Sequence, residues 1–176
     1  CYSLKSITVP EGVTALPDGI FAYSYLESVA LPSTLTVIDS QAFYDCSSLK
    51  SIQLPDGLTK LGYEAFRGCS ALESINYPKS LKEVGSGVYE ECLSLKSIEV
   101  PEGVVVLPEN AFYGSSLTDV KLPSTLKTIG NYAFMYCKDL TDLVIPDGVT
   151  SLGDQVFYDC ISLKSVQLPD GLTIMG

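Results

Sequence analysis

The sequence predicts an α/β solenoid, a curved right-handed coil with a parallel β-sheet on its concave face and short helical or 3-10 turns on its convex face. Three observations carry this. A leucine recurs at Leu4, Leu26, Leu49, Leu72, Leu95, Leu117, Leu140 and Leu163, always 22 or 23 residues apart, and a fixed period of this length marks a stacked repeat. Each unit alternates apolar and polar residues just after that leucine, as a half-buried strand does. A longer period of 91 residues lies on top: Leu31-Pro32-Ser33-Thr34-Leu35 returns as Leu122-Pro123-Ser124-Thr125-Leu126, and Pro55-Asp56-Gly57 as Pro146-Asp147-Gly148. A block of four units has been copied, which a solenoid tolerates because each unit touches only its neighbours.

The elements follow in order along one unit. Ile52 and Leu54, or Val120 and Leu122, are two apart and predict a strand with one buried face. The proline that follows donates no ladder hydrogen bond and ends the strand. Asp-Gly or Ser-Thr next predicts a turn. A second apolar pair, such as Leu58 and Leu61, is expected to carry the chain across the core, often with a glycine after it (Gly62, Gly85, Gly130, Gly153). Ala-Phe comes next, with cysteine three positions beyond the phenylalanine. That piece is too short for a full helix, so a single helical or 3-10 turn is expected, with the phenylalanine pointing inward. No unit buries its own apolar residues, but stacked units do, with like positions in ladders about 4.8 Å apart. Residues 1–176 are read as one leucine-rich-repeat domain of about seven repeats plus partial ends.

The pattern L-x-x-I-x-L-P followed by I-G-x-x-A-F-x-x-C, as in Leu49, Ile52, Leu54, Pro55, Leu58, Leu61, Ala65, Phe66 and Cys69, resembles the BspA-like (Treponema pallidum type) leucine-rich repeats. The resemblance covers essentially the whole chain. Units one and five depart from it, each one residue short and lacking the cysteine, and unit four has Val88-Tyr89 for Ala-Phe. The resemblance implies a bacterial or protist protein, secreted or displayed on the cell surface, that adheres to host or matrix proteins.

Composition narrows the function. The chain carries 11 basic and 21 acidic residues, a net charge of −10. Such a surface repels nucleic acid and anionic lipid, so neither is an expected partner. No apolar run approaches the length of a membrane span, so no membrane insertion is expected. The chain has no initiator methionine and both ends fall inside a repeat, so a segment of a longer protein, open to end-to-end self-association, is expected.

Catalysis has no visible apparatus. There is no histidine, the commonest general base near neutral pH, and no nucleophile elbow or phosphate loop. Ser86 lies between two glycines, but no matching pattern surrounds it. Cys1, Cys46, Cys69, Cys92, Cys137 and Cys160 each stand three residues before an opening leucine. Their shared position predicts a reduced, buried structural ladder; disulfides and a metal site are the alternatives, though zinc would need converging ligands such as Cys-x-x-Cys or histidine. No cofactor is expected.

Two surfaces remain for binding. The outward strand positions include Ser97, Glu99, Asp119, Lys121, Asp142 and Val144, a shallow concave surface suited to a peptide or glycan, or merely to a crowded curved sheet. Asp119 and Asp142, with Glu99 near, could instead hold a cation or form a solvated acidic stripe. On the convex side Tyr44, Tyr113, Tyr136 and Tyr158 follow the buried phenylalanines. They suit a protein interface or simply cover the gaps between turns. The expected partner is a protein or a glycan; the alternative is a structural spacer or self-associating scaffold without a dedicated ligand.

Overall fold

The computed structural model describes residues 3–176, so Cys1 lies outside the described residues. The chain winds through about seven turns of a parallel β-solenoid. Each unit contributes two short strands. The first set is β1 (Ser6–Thr8), β3 (Ser28–Ala30), β5 (Ser51–Ile52), β7 (Ser74–Ile75), β9 (Ser97–Glu99), β11 (Asp119–Lys121), β13 (Asp142–Val144) and β15 (Ser165–Gln167). The second set is β2 (Ala15–Leu16), β4 (Val37–Ile38), β6 (Lys60–Leu61), β8 (Glu83–Val84), β10 (Val106–Leu107), β12 (Thr128–Ile129), β14 (Ser151–Leu152) and β16 (Ile174–Met175). The second apolar pair therefore does more than cross the core: its latter half forms a second parallel ladder.

Register follows the repeat, with Ser28 paired to Ser51 and Val29 to Ile52. The burial alternates as a half-buried strand requires, Leu143 inside between exposed Asp142 and Val144. The prolines that follow the first set of strands sit just beyond them, where a missing N–H leaves the pairing of that ladder intact.

The expectation of helical or 3-10 turns is corrected. Among the described residues there is no α or 3-10 helix. The Ala-Phe segment is a run of turns with two left-handed residues per unit, such as Gln41 (φ 55°) and Asp45 (φ 52°). The reason lies between units. The N–H groups of Gln41, Phe43 and Asp45 donate to the carbonyls of Tyr63, Ala65 and Arg67 in the next unit, at 2.8, 2.9 and 2.7 Å. The alternating Tyr44 and Cys46 N–H groups close local turns, onto Gln41 and Phe43. A 3-10 helix would aim every N–H back along its own segment and leave the neighbouring unit's carbonyls unpaired.

The core is a stack of rings. Phe21, Phe43, Phe66, Tyr89, Phe112, Phe134 and Phe157 follow one another at centroid distances of 5.1 to 6.1 Å. The five inner rings are fully buried, each contributing about 2–3 kcal/mol, while Phe21 and Phe157 at the ends are half-buried. In unit four, Tyr77 and Tyr89 replace the usual Leu and Phe, and their buried hydroxyls have no hydrogen-bond partner.

Pairing is not uniform along the axis. The first set of strands is hydrogen-bonded from β1 to β7, then as β9 with β11 and β13 with β15; the second set runs β2 to β8 and β10 to β16. Both ladders thus break at one boundary, between units four and five.

Candidate functional site

Strand alternation places Ser97, Glu99, Asp119, Lys121, Asp142 and Val144 on the outward face of the first ladder, all exposed. Asp119 pairs with Ser97 and Lys121 with Glu99 in register, and Lys121 Nζ lies 3.6 Å from Glu99 Oε2. Asp142 pairs with Ser165, whose hydroxyl donates to Asp142 Oδ1 at 2.6 Å. That bond holds the Asp142 carboxyl below its usual range. The β9–β11 pair is flanked on each side by a gap in the ladder. A cavity of about 200 Å³ opens toward β7, and one of about 560 Å³ toward β13; Asp119 and Lys121 line both. Asp119 and Asp142 both line the larger of these cavities, on adjacent strands where like charges disfavour pairing. Among the described residues no trio of cysteine, histidine or carboxylate side chains could hold a metal ion.

Cys46, Cys69, Cys92, Cys137 and Cys160 are buried, free thiols. Each donates its S–H to the carbonyl of the phenylalanine one unit earlier: Phe21, Phe43, Phe66, Phe112 and Phe134, at 3.0 to 3.3 Å. Burial pushes the Cys137 thiol up to about 12 and moves Cys92 upward as well, so both remain donors at neutral pH. Ser24 and Ser115 fill this position in the short units, their hydroxyls 3.3 and 3.4 Å from Cys46 and Cys137 Sγ.

The four tyrosines fall into two groups. Tyr44 packs against Tyr23 with ring centroids 5.3 Å apart and planes tilted by 60°, while Tyr113, Tyr136 and Tyr158 form an edge-to-face row at 5.3 and 5.8 Å. Tyr158 is exposed, and the other three are half-buried. Between the groups lies a cluster that sequence reasoning missed. Arg67 meets Glu64 at 2.9 Å, Glu90 at 3.1 Å and Glu91 at 3.9 Å, and its guanidinium lies over the Tyr44 ring. Burial raises the Glu90 carboxyl, with Arg67 opposing. One signal was available, since Arg67 is the only arginine in the chain. Its partners come from different units, so the spacing alone does not assemble them.

Among the described residues no helix is long and apolar enough to cross a membrane.

The model of the BspA type leucine rich repeat region matches in six copies, over residues 1–116 and 105–176. Among solved structures, a leucine-rich repeat protein from Bacteroides ovatus is similar at 30% identity and a TM-score of 0.73, over 97% of this chain and 56% of that one. One from Eubacterium ventriosum is 27% identical with a TM-score of 0.82, over 97% and 46%. The Treponema pallidum leucine rich repeat protein is 29% identical with a TM-score of 0.66, over 96% and 72%. The chain thus spans about half the length of the first two. No curated protein matches.

Proposed function

This chain belongs to the BspA-type leucine-rich-repeat family, and from that premise we propose that it is a non-enzymatic binding module of a cell-surface or secreted protein, engaging a protein or glycan through the outward face of its first ladder. One observation carries the reading: the pairing of that ladder is interrupted on both sides of β9 and β11, and Asp119 and Lys121 line both openings. Small side chains leave the face accessible, with Ser6, Ser28, Ser51, Ser74, Ser97 and Ser165 all exposed. Carboxylates and an ammonium group set in the openings can orient hydroxyls or backbone amides, the groups that glycans and peptides present. Surface display or secretion is supported by family membership.

The test is binding of the chain to an array of extracellular-matrix proteins and glycans. A saturable hit that is lost in the Asp119→Ala, Lys121→Ala, Asp142→Ala triple variant, and kept when Tyr44, Tyr113 and Tyr158 are replaced by Ala, is the expected result. A hit with the opposite dependence moves the site to the tyrosine rows, and a blank array sinks the reading.

A further inference from the structure

The boundary between units four and five differs from those on either side. At the boundary before it, the N–H groups of Lys82 and Glu83 bond the Thr59 carbonyl at 3.0 and 3.2 Å, and Gly85 N–H bonds Leu61 at 2.8 Å. At the boundary after it, Lys127 and Thr128 bond Val105 at 2.8 and 3.3 Å, and Gly130 bonds Leu107 at 2.8 Å. The equivalent bonds across the seam would run from Val105 and Val106 to the Lys82 carbonyl, and from residue 108 to Val84. None is present among the described residues. The last is impossible, because residue 108 is proline and has no N–H. Asp39 shows that the N–H matters more than the side chain here, since it occupies the same repeat position and bonds Leu16 at 2.9 Å. Only the turn segments cross the seam, from Gly87, Tyr89 and Glu91 to Glu109, Ala111 and Tyr113 at 2.9, 3.1 and 2.8 Å.

The result is a cleft of about 480 Å³ that runs from Lys60 and Leu61 across β8 to Val105, Val106 and Pro108, and the two strands that border the seam within it are unlike. The β8 wall offers carbonyl acceptors at Lys82 and Val84. The β10 wall offers amide donors at Val105 and Val106, whose side chains are 49% and 53% exposed. Lys60, Lys82 and Glu83 line the cleft, and among the described residues Lys82 has no ion-pair partner, so the lining carries a positive excess in a chain of net charge −10. Alternating donors and acceptors at strand spacing are what a peptide backbone supplies. A glycan presents hydroxyls without that periodic direction.

We propose that this seam docks an extended segment of a partner protein, which adds as a strand by accepting from the Val105 and Val106 amides and donating to the Lys82 and Val84 carbonyls. Its apolar side chains pack on the exposed valines, and an acidic side chain meets Lys82. This site is separate from the first-ladder face around Asp119.

The test selects peptides from a random twelve-residue display library on the 176-residue chain carrying Asp119→Ala, Lys121→Ala and Asp142→Ala, so that the first-ladder face cannot contribute. Selected synthetic peptides are then titrated against that protein and two further variants of it. V105P deletes a donor that no bond of the fold uses; P108G supplies the N–H that Val84 lacks and lets the seam close. The expected result is saturable binding of apolar, acidic peptides, weakened about tenfold by either substitution, as the loss of one or two net hydrogen bonds requires. Hydrogen exchange at Val105 and Val106 slows when peptide binds. Peptides that bind both variants unchanged overturn the proposal, and so does a library that yields no binder. If V105P does not fold, P108G and the exchange rates decide. Sedimentation of the unliganded chain covers the other occupant: a dimer dissolved by P108G shows that a second copy fills the seam, and overturns the partner segment.

Discussion

A buried thiol that donates to a carbonyl behaves differently from one that merely fills space. The Phe43 carbonyl accepts both Cys46 N–H, at 3.2 Å, and Cys69 Sγ, at 3.2 Å. Cys69→Ala removes the second of these bonds and leaves a small void, at a cost of about 1–2 kcal/mol. Cys69→Ser is expected to cost less, because a hydroxyl can donate to the same carbonyl and the position already accepts the buried Ser24 and Ser115, whose hydroxyls hydrogen-bond to Cys46 and Cys137 Sγ. Urea unfolding of the two variants measures the order; in a purely apolar site it would be reversed, since the hydroxyl would be buried without a partner. Glu90 represents the opposite case at this scale, a carboxyl whose charge is disfavoured by burial and sustained by one arginine shared among three glutamates.

Elements this short are stable only because their neighbours approach closely. The glycine after the second strand marks where that approach is tightest: a Cβ on Gly130 would lie 2.6 Å from Glu109 N, and one on Gly153 would lie 2.5 Å from Asn131 N. Gly171, in the proline turn, would place a Cβ 3.7 Å from the Asp147 carbonyl, an ordinary contact. Gly130→Ala is therefore expected to destabilise the chain by about 1–3 kcal/mol through overpacking. Gly171→Ala is expected to be neutral within about 0.5 kcal/mol. Thermal unfolding of the two variants tests the contrast, and equal effects would mean that axial spacing does not set the cost.

Across the whole molecule, stability in a repeat array is the sum of unit terms and nearest-neighbour interfaces, and one interface here is poor. The seam lacks both strand ladders, and its fourth unit also buries the unpartnered hydroxyls of Tyr77 and Tyr89, each costing about 1–3 kcal/mol. The two blocks should therefore open from one another before either unfolds. The measurement is native-state hydrogen exchange. The amides of Gly87, Tyr89 and Glu91, which span the seam, are expected to exchange about tenfold faster or more than those of Gln41, Phe43 and Asp45. Uniform protection along the turn segments would show that these three bonds suffice to couple the blocks.

The amino-acid sequence by itself determined the period, the units, the inward set and the outward set, because these depend only on where apolar side chains fall along one turn of the coil. Phe66, Cys69 and Leu72 were legible as interior, and Asp119, Lys121 and Asp142 as outward, from spacing alone. The tertiary structure decided what depends on hydrogen bonds between units 22 or 23 residues apart. Whether Gln41 turns left-handed is set by the Tyr63 carbonyl above it and not by its own propensity, so the expected helical turn did not form. Lys60 and Leu61 became a strand because Thr36 and Ile38 in the preceding unit offered their carbonyls to Lys60 and Gly62. Arg67 gathered three glutamates because adjacent turns stack them together. Pro108 stood in plain view where most units have glycine, yet its effect became visible only when the Val84 carbonyl was found opposite it with no N–H to accept.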